Sequence, residues 1–143
     1  MLLPMGTTKP IQKLLRNNSL MNIIPILQLQ SNLIASIQTE LTDEEALAFQ
    51  SSLLEKNQQL NTKGIIIDVS MLDVIDSYMA KVLSDLTTMV KLQGAKVVLC
   101  GVQPAVASTL VDMGMRLNSI DTFLSLDHAF TYLTKEQSSS MEE

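Results

Sequence analysis

Strand-length apolar runs alternating with segments of helical period predict an α/β domain. Three observations carry that expectation. Gly64–Val69 is a short, continuous apolar run opened by glycine, the pattern of a strand covered on both faces. Met79, Val82, Leu83, Leu86, Met89 and Val90 recur at steps of three and four, the stripe of an amphipathic helix. Ala95–Cys100 then repeats the strand pattern directly after Gly94. The 143 residues, 46% hydrophobic and 17% charged, suffice for one domain with its own core and exclude disorder throughout.

In chain order, residues 1–22 come first and differ from the rest. They hold Pro4, Gly6, Pro10 and an Asn17-Asn18-Ser19 cluster, with Lys9, Lys13 and Arg16 and no acid. Ile11, Leu14 and Leu15 have helical spacing, but the composition is that of a flexible N-terminal extension. Met21, just before the first strand-like run, would also serve as an initiator. Ile23–Leu29 and Asn32–Ile37 read as two strands joined by a turn at Gln30-Ser31-Asn32. Pro25 has no N–H for a ladder, which places the first strand at a sheet edge or makes its start irregular.

Thr42-Asp43-Glu44-Glu45 is a capping box. It opens a helix to about Gln59 that buries Ala46, Phe49, Leu53 and Leu54. The Gly64 strand follows, then the striped helix, ended by Gly94, then the Ala95–Cys100 strand. Pro104 suits the first turn of a third helix with Val106, Ala107, Leu110 and Val111 on its apolar side, stopping at Gly114. A short strand near Thr122–Leu124 and a last helix, Asp127–Thr134, complete a domain spanning 23–134. Residues 135–143, with Ser138-Ser139-Ser140, are expected to form a polar, frayed C-terminal tail.

Several function classes are excluded by composition. Aromatics are 3% of the chain, with no Trp, which leaves no stacking platform for single-stranded nucleic acid. Net charge is −5 overall, +3 within 1–22 and therefore −8 in the remainder, an acidic body that repels a phosphate backbone. No apolar run approaches the roughly 20 residues that span a bilayer, and the start lacks a secretory signal. Neither nucleic acid nor membrane is an expected partner. A single cysteine, Cys100, excludes an internal disulfide framework and fits a reducing cytoplasm. With one His and one Cys, no structural zinc site forms.

Enzyme signatures are missing too. The five glycines, 6, 64, 94, 101 and 114, form no nucleophile elbow, dinucleotide loop or P-loop, so no catalytic residue, cofactor or metal is expected. His128 reads as a surface or cap residue at the start of the last helix, and Cys100 as an inert core thiol. Asp68 ends the third strand, where a receiver domain keeps its phosphoacceptor. That chemistry needs an acidic pair for Mg²⁺ after the first strand, and here the strand ends Leu29-Gln30-Ser31-Asn32.

One segment stands out, from Asp68 to Tyr78. A buried strand runs into a loop with Asp68, Asp73 and Asp76, and Asp76-Ser77 falls where the strong helix begins. Asp or Ser at that point is an ordinary N-cap. The same geometry puts the Ser77 hydroxyl at the surface, where free N–H groups and the positive helix end favour an added phosphate. Phosphate brings roughly −1.5 to −2 charge to a patch already holding Asp73 and Asp76. A partner seated on Asp73, Asp76, Ser77 and Tyr78 would meet both a steric block and like-charge repulsion. Such a patch is an on/off contact.

Ile65-Ile66-Ile67-Asp68-Val69-Ser70, Val74-Ile75-Asp76-Ser77 and Gly94-Ala95-Lys96-Val97-Val98-Leu99-Cys100-Gly101 resemble the STAS domain of anti-sigma-factor antagonists. Ile24-Pro25-Ile26-Leu27, Asp76–Leu83 and Gly101–Ala107 resemble its RsbS-type stressosome branch. The resemblance covers about 23–134 and leaves out 1–22. It implies a single STAS-like domain, a mixed sheet of about five strands with helices mainly on one face, and no catalytic activity. It further implies homo- and hetero-oligomeric assembly with RsbR-like STAS paralogues into a cytoplasmic scaffold that sequesters an RsbT-like switch kinase. That kinase would phosphorylate Ser77 under stress and leave, and an RsbX-like phosphatase would reset the system. RsbR-like paralogues carry a second phosphoacceptor threonine, whose nearest equivalent is Thr109; an ordinary helix residue is the simpler reading there. The alternatives are a simple anti-sigma-factor antagonist that binds its kinase one to one, and a nucleotide- or lipid-binding module. The acidic loop disfavours a phosphate-bearing ligand.

Overall fold

Five strands form one sheet in the order β1-β2-β3-β4-β5, in a computed structural model that describes residues 24–115 and 120–142. β1 (Ile26–Leu29) runs antiparallel to β2 (Asn32–Ser36). β3 (Gly64–Asp68), β4 (Lys96–Cys100) and β5 (Asp121–Phe123) continue parallel to β2. Between parallel strands lie α1 (Asp43–Leu60), α2 (Ser77–Leu92) and α3 (Pro104–Asp112), and α4 (Leu126–Glu142) follows β5. The mixed α/β sheet expected from the sequence is the one found.

Side chains alternate across each strand, and the two faces differ in cover. Leu33, Ala35, Ile65, Ile67, Val97 and Leu99 meet one large core built with α1, α2 and α3. Ile66, Val98 and Cys100 point the other way, onto Ala129 and Leu133 of α4. Three helices cover one face and one covers the other. That two-sided burial is why β3 reads as a continuous apolar run. The Met79–Val90 stripe enters the large core, with Leu83, Leu86 and Val90 fully buried and Met89 half-buried.

Local chemistry sets the ends of the elements. The Glu45 amide donates to Thr42 Oγ1 at 3.1 Å and the Thr42 amide to Glu45 Oε2 at 2.9 Å, a closed capping box. Pro25 stands just outside the edge strand β1, and its carbonyl accepts from the Ser36 amide at 3.3 Å. Pro104 occupies the first turn of α3. Among the described residues no helix is long and apolar enough to cross a membrane.

Four expectations need correction. Leu54 of α1 is only partly buried, and Asn57 goes in at the next turn. Asn57 can do so because Gln93 and the Thr62 hydroxyl satisfy its amide. On α3 only Val106 and Leu110 are buried; Ala107 is half-buried and Val111 is exposed. A helix of nine residues anchors here through a single i, i+4 pair. β5 starts at Asp121 and stops before Leu124, which is 91% exposed. Finally, α4 does not end at Thr134 but runs to Glu142. Gln137 Nε2 donates to the buried Asn32 Oδ1 at 2.6 Å and Glu136 approaches Lys96 at 3.7 Å, so the polar tail has partners on the sheet. The expected 1–22 extension, with Ile11, Leu14 and Leu15, and Ile23 of the first expected strand lie outside the described residues.

Candidate functional site

Ser77 is the first residue of α2. Asp76 is its N-cap, with φ −85° and ψ 172°, and Asp76 Oδ1 accepts from the Met79 amide at 2.7 Å. The Ala80 amide donates to the Asp76 carbonyl at 3.1 Å and opens the helical ladder. Met79 and Ala80 are buried while Ser77 is exposed, so the first turn is anchored inward and its serine faces water. Asp73 and Asp76 are exposed as well. Tyr78 is half-buried against the large core and offers only part of its ring to a partner.

The loop before this turn is held from both ends. Asp68 Oδ1 accepts from the Ser70 amide at 2.9 Å, and the Leu72 amide donates to the Val69 carbonyl at 3.0 Å. From the β4–α3 loop, Gln103 Nε2 donates to the Ser70 carbonyl at 2.8 Å. Gly101, at φ +73°, packs so closely that an added Cβ would lie 2.5 Å from Ser70 Cβ. The sequence reading missed Gly101 and Gln103 as positioning residues. Their signal is non-local, since they touch Ser70 only once β3 and β4 pair.

A helix N-terminus leaves its first amides without intrahelical partners. Asp76 takes the amide of Met79, and the field of the first turn favours negative charge by about 0.3–1 kcal/mol at an exposed site. A phosphate on Ser77 would be drawn to that field and crowded by Asp76 and Asp73. No side chain among the described residues hydrogen-bonds the Ser77 hydroxyl. Thr109 is half-buried, its hydroxyl donating to the Ala105 carbonyl at 3.1 Å.

The remaining singled-out residues are quiet. His128 is exposed, with its backbone amide on Ser125 Oγ at 3.3 Å. Burial pushes the Cys100 thiol up to about 12, helped by the nearby Asp68 charge. A cleft of about 210 Å³ opens beside Asp76, between the β2–α1 and β3–α2 loops. Small-molecule sites run from about 300 Å³ upward, so the cleft has room for side chains and little more.

Asp76→Ala should cost about 1 kcal/mol in chemical denaturation, whereas Asp76→Asn should keep most of that, because asparagine caps as well as aspartate does. Equal losses would mean that charge, and not the cap bond to Met79, is what the helix start uses.

The STAS domain model matches residues 24–129. The chain belongs to the STAS domain family. This STAS domain is similar to RsbS from Moorella thermoacetica, seen in a form with one serine replaced by glutamate. The two share 32% identity over 80% of this chain and 97% of that one, with a TM-score of 0.74. A chain in the molecular architecture of the stressosome, a signal integration and transduction hub, shares 32% identity over 79% of this chain and 98% of its own, with a TM-score of 0.70. The RsbT co-antagonist protein RsbRA of Bacillus subtilis is 29% identical over 90 residues, 63% of this chain. That match spans 31% of the length of RsbRA, so this STAS domain corresponds to a part of that protein.

Proposed function

We propose that this STAS domain is a phosphorylation-switched scaffold and antagonist of a bacterial stress-signalling complex. It assembles with RsbR-like STAS paralogues in the cytoplasm and sequesters an RsbT-like serine/threonine switch kinase. Phosphorylation of Ser77 releases the kinase, and an RsbX-like phosphatase restores the bound state. It has no chemistry of its own. The observation that carries this reading is the exposed Ser77 at the first position of α2, beside the exposed carboxylates of Asp73 and Asp76. Adding phosphate there changes shape and charge at once. The likeness to RsbS over nearly that chain's whole length supports it. Thr109, with its hydroxyl turned back onto its own helix, is the poorer acceptor.

The test mixes the full chain with an RsbR-like paralogue, the kinase, ATP and Mg²⁺. Intact-mass spectrometry with peptide mapping should find one phosphate, on Ser77. Light scattering should find a particle far larger than a dimer that holds kinase before ATP is added and loses it afterwards. Phosphate elsewhere with Ser77 unmodified would defeat the proposal. A small one-to-one complex with the kinase would instead identify a simple anti-sigma-factor antagonist.

A further inference from the structure

β1 is an edge strand, and among the described residues no other strand pairs with its outer side. The Ser36 amide donates to the Pro25 carbonyl, which makes 25 and 36 a hydrogen-bonded pair of the antiparallel ladder. Alternation along the ladder then turns the backbone groups of Pro25, Leu27 and Leu29 toward β2 and those of Ile26 and Gln28 outward. The N–H that Pro25 lacks belongs to the inner side, so the proline does not interrupt the free edge. Sheet edges are commonly blunted by charge or by an outward proline. β5, the opposite edge, has only three residues, and its Asp121 is paired with Lys96 at 3.0 Å. β1 has neither device, and residues 24–39 contain no charge at all.

One face of that edge is apolar and open. Leu27 stands opposite Ile34, which packs on the α4 side of the sheet, so Leu27 and Leu29 point to that side as well. α4 packs over β3, β4 and β5 and leaves these leucines in water, Leu27 63% and Leu29 47% exposed. Pro25, also exposed, lies on the same side. A matching occupant offers an uncharged strand edge and aliphatic side chains. A second copy of this chain offers both. Outside residues 1–22 the chain carries −8, so two copies repel each other over most approaches. The uncharged β1 edge is where they can meet without setting acid against acid.

We propose that two copies join through β1, antiparallel about a two-fold axis at Leu27, so that one continuous sheet runs through both chains. In this register Ile26 and Gln28 of each copy exchange backbone hydrogen bonds with Gln28 and Ile26 of the other. The two Leu27 residues form the close, non-hydrogen-bonded pair, with Cα atoms about 4.5 Å apart. Each Leu29 covers Pro25 of the second copy. The contact is isologous and closes at two chains, so it makes a dimer and not a fibre. Strands this short bury less than about 1,200 Å², the size class of weak, reversible contacts. Such a contact gains strength where other contacts already hold the copies together. β1 lies two strands from β3, from which the loop to α2 departs. The pairing therefore leaves Ser77 open and does not depend on the proposed switch.

Sedimentation of the full chain over a wide range of concentration should show a monomer–dimer equilibrium that persists in high salt, because the contact contains no ion pair to screen. Gln28→Pro should weaken dimerisation about tenfold or more, since it removes a backbone bond from each half of the contact. The Gln28 N–H faces outward, so the ladder to β2 keeps its bonds and thermal melts should match wild type. Leu27→Cys gives a reading that weakens nothing. Its symmetric pair lies within disulfide reach, so mild oxidation should link two chains, with the buried Cys100 taking no part. Leu29→Cys should stay unlinked, because four residues, or about 14 Å, separate it from its counterpart, too far for a disulfide. A chain that remains monomeric throughout overturns the inference. So does a dimer that Gln28→Pro leaves intact, or one in which Leu29→Cys couples as readily as Leu27→Cys. Association only with a different STAS chain also overturns it, by giving the edge another occupant.

Discussion

Ser77→Ala is expected to keep the switch kinase bound after ATP is added, while the wild-type chain lets it go. Alanine removes only an exposed hydroxyl, so the initial contact is nearly unchanged and the trap is complete. Phosphate on the wild-type serine adds roughly two negative charges next to Asp73 and Asp76. A loss of about 4 kcal/mol in the contact lowers affinity about a thousandfold, which is release at any ordinary concentration. Ser77→Asp should bind weakly even before ATP, though better than the phosphorylated chain, since a carboxylate carries one charge and less bulk. Its fold should not suffer, because an acid in the first turn of α2 complements the helix dipole. Thermal melts of the variants serve as the control, and kinase retention by light scattering is the readout. Identical retention by wild type, Ala and Asp forms would end the mechanism.

The exposed place of Ser77 at the first position of α2 was legible because the helix start itself is set locally. The aspartate cap, the apolar stripe from Met79 to Val90 and the preceding buried strand lie within one stretch of chain, and each has a sequence pattern of its own. The capping box at Thr42 and the edge position of β1 were legible for the same reason. What escaped depends on pairs far apart in sequence. The extension of α4 rests partly on the Gln137–Asn32 bond, 105 residues apart, while its own Ser138-Ser139-Ser140 run argues for fraying. Asn57 enters the core in place of Leu54 because Gln93 waits there, 36 residues away. The cleft has no linear signature either: its walls come from two loops that meet only when β2 and β3 pair.

Gly101→Ala is expected to show how strongly the site depends on such a distant contact. Gly94 and Gly101 both have positive φ, +86° and +73°, so alanine at either meets a backbone strain of about 1–2 kcal/mol. Around Gly94 nothing lies within 4 Å of the new Cβ, and strain is the whole effect. At Gly101 the Cβ would also fall 2.5 Å from Ser70 Cβ and 2.8 Å from its Cα. The latter is backbone, so the clash is relieved only by moving the loop, at a further cost of about 1–3 kcal/mol. Denaturation should therefore place Gly101→Ala about 2–5 kcal/mol below wild type and Gly94→Ala about 1–2 below. The gap between the two variants measures the contact itself. Moving Ser70 carries the Asp73–Ser77 loop with it and weakens the Gln103 bond to the Ser70 carbonyl. At temperatures where both variants remain folded, Gly101→Ala should lose kinase retention and Gly94→Ala should keep it. Equal stability losses, or retention preserved in both, would show that the β4–α3 loop does not position the switch.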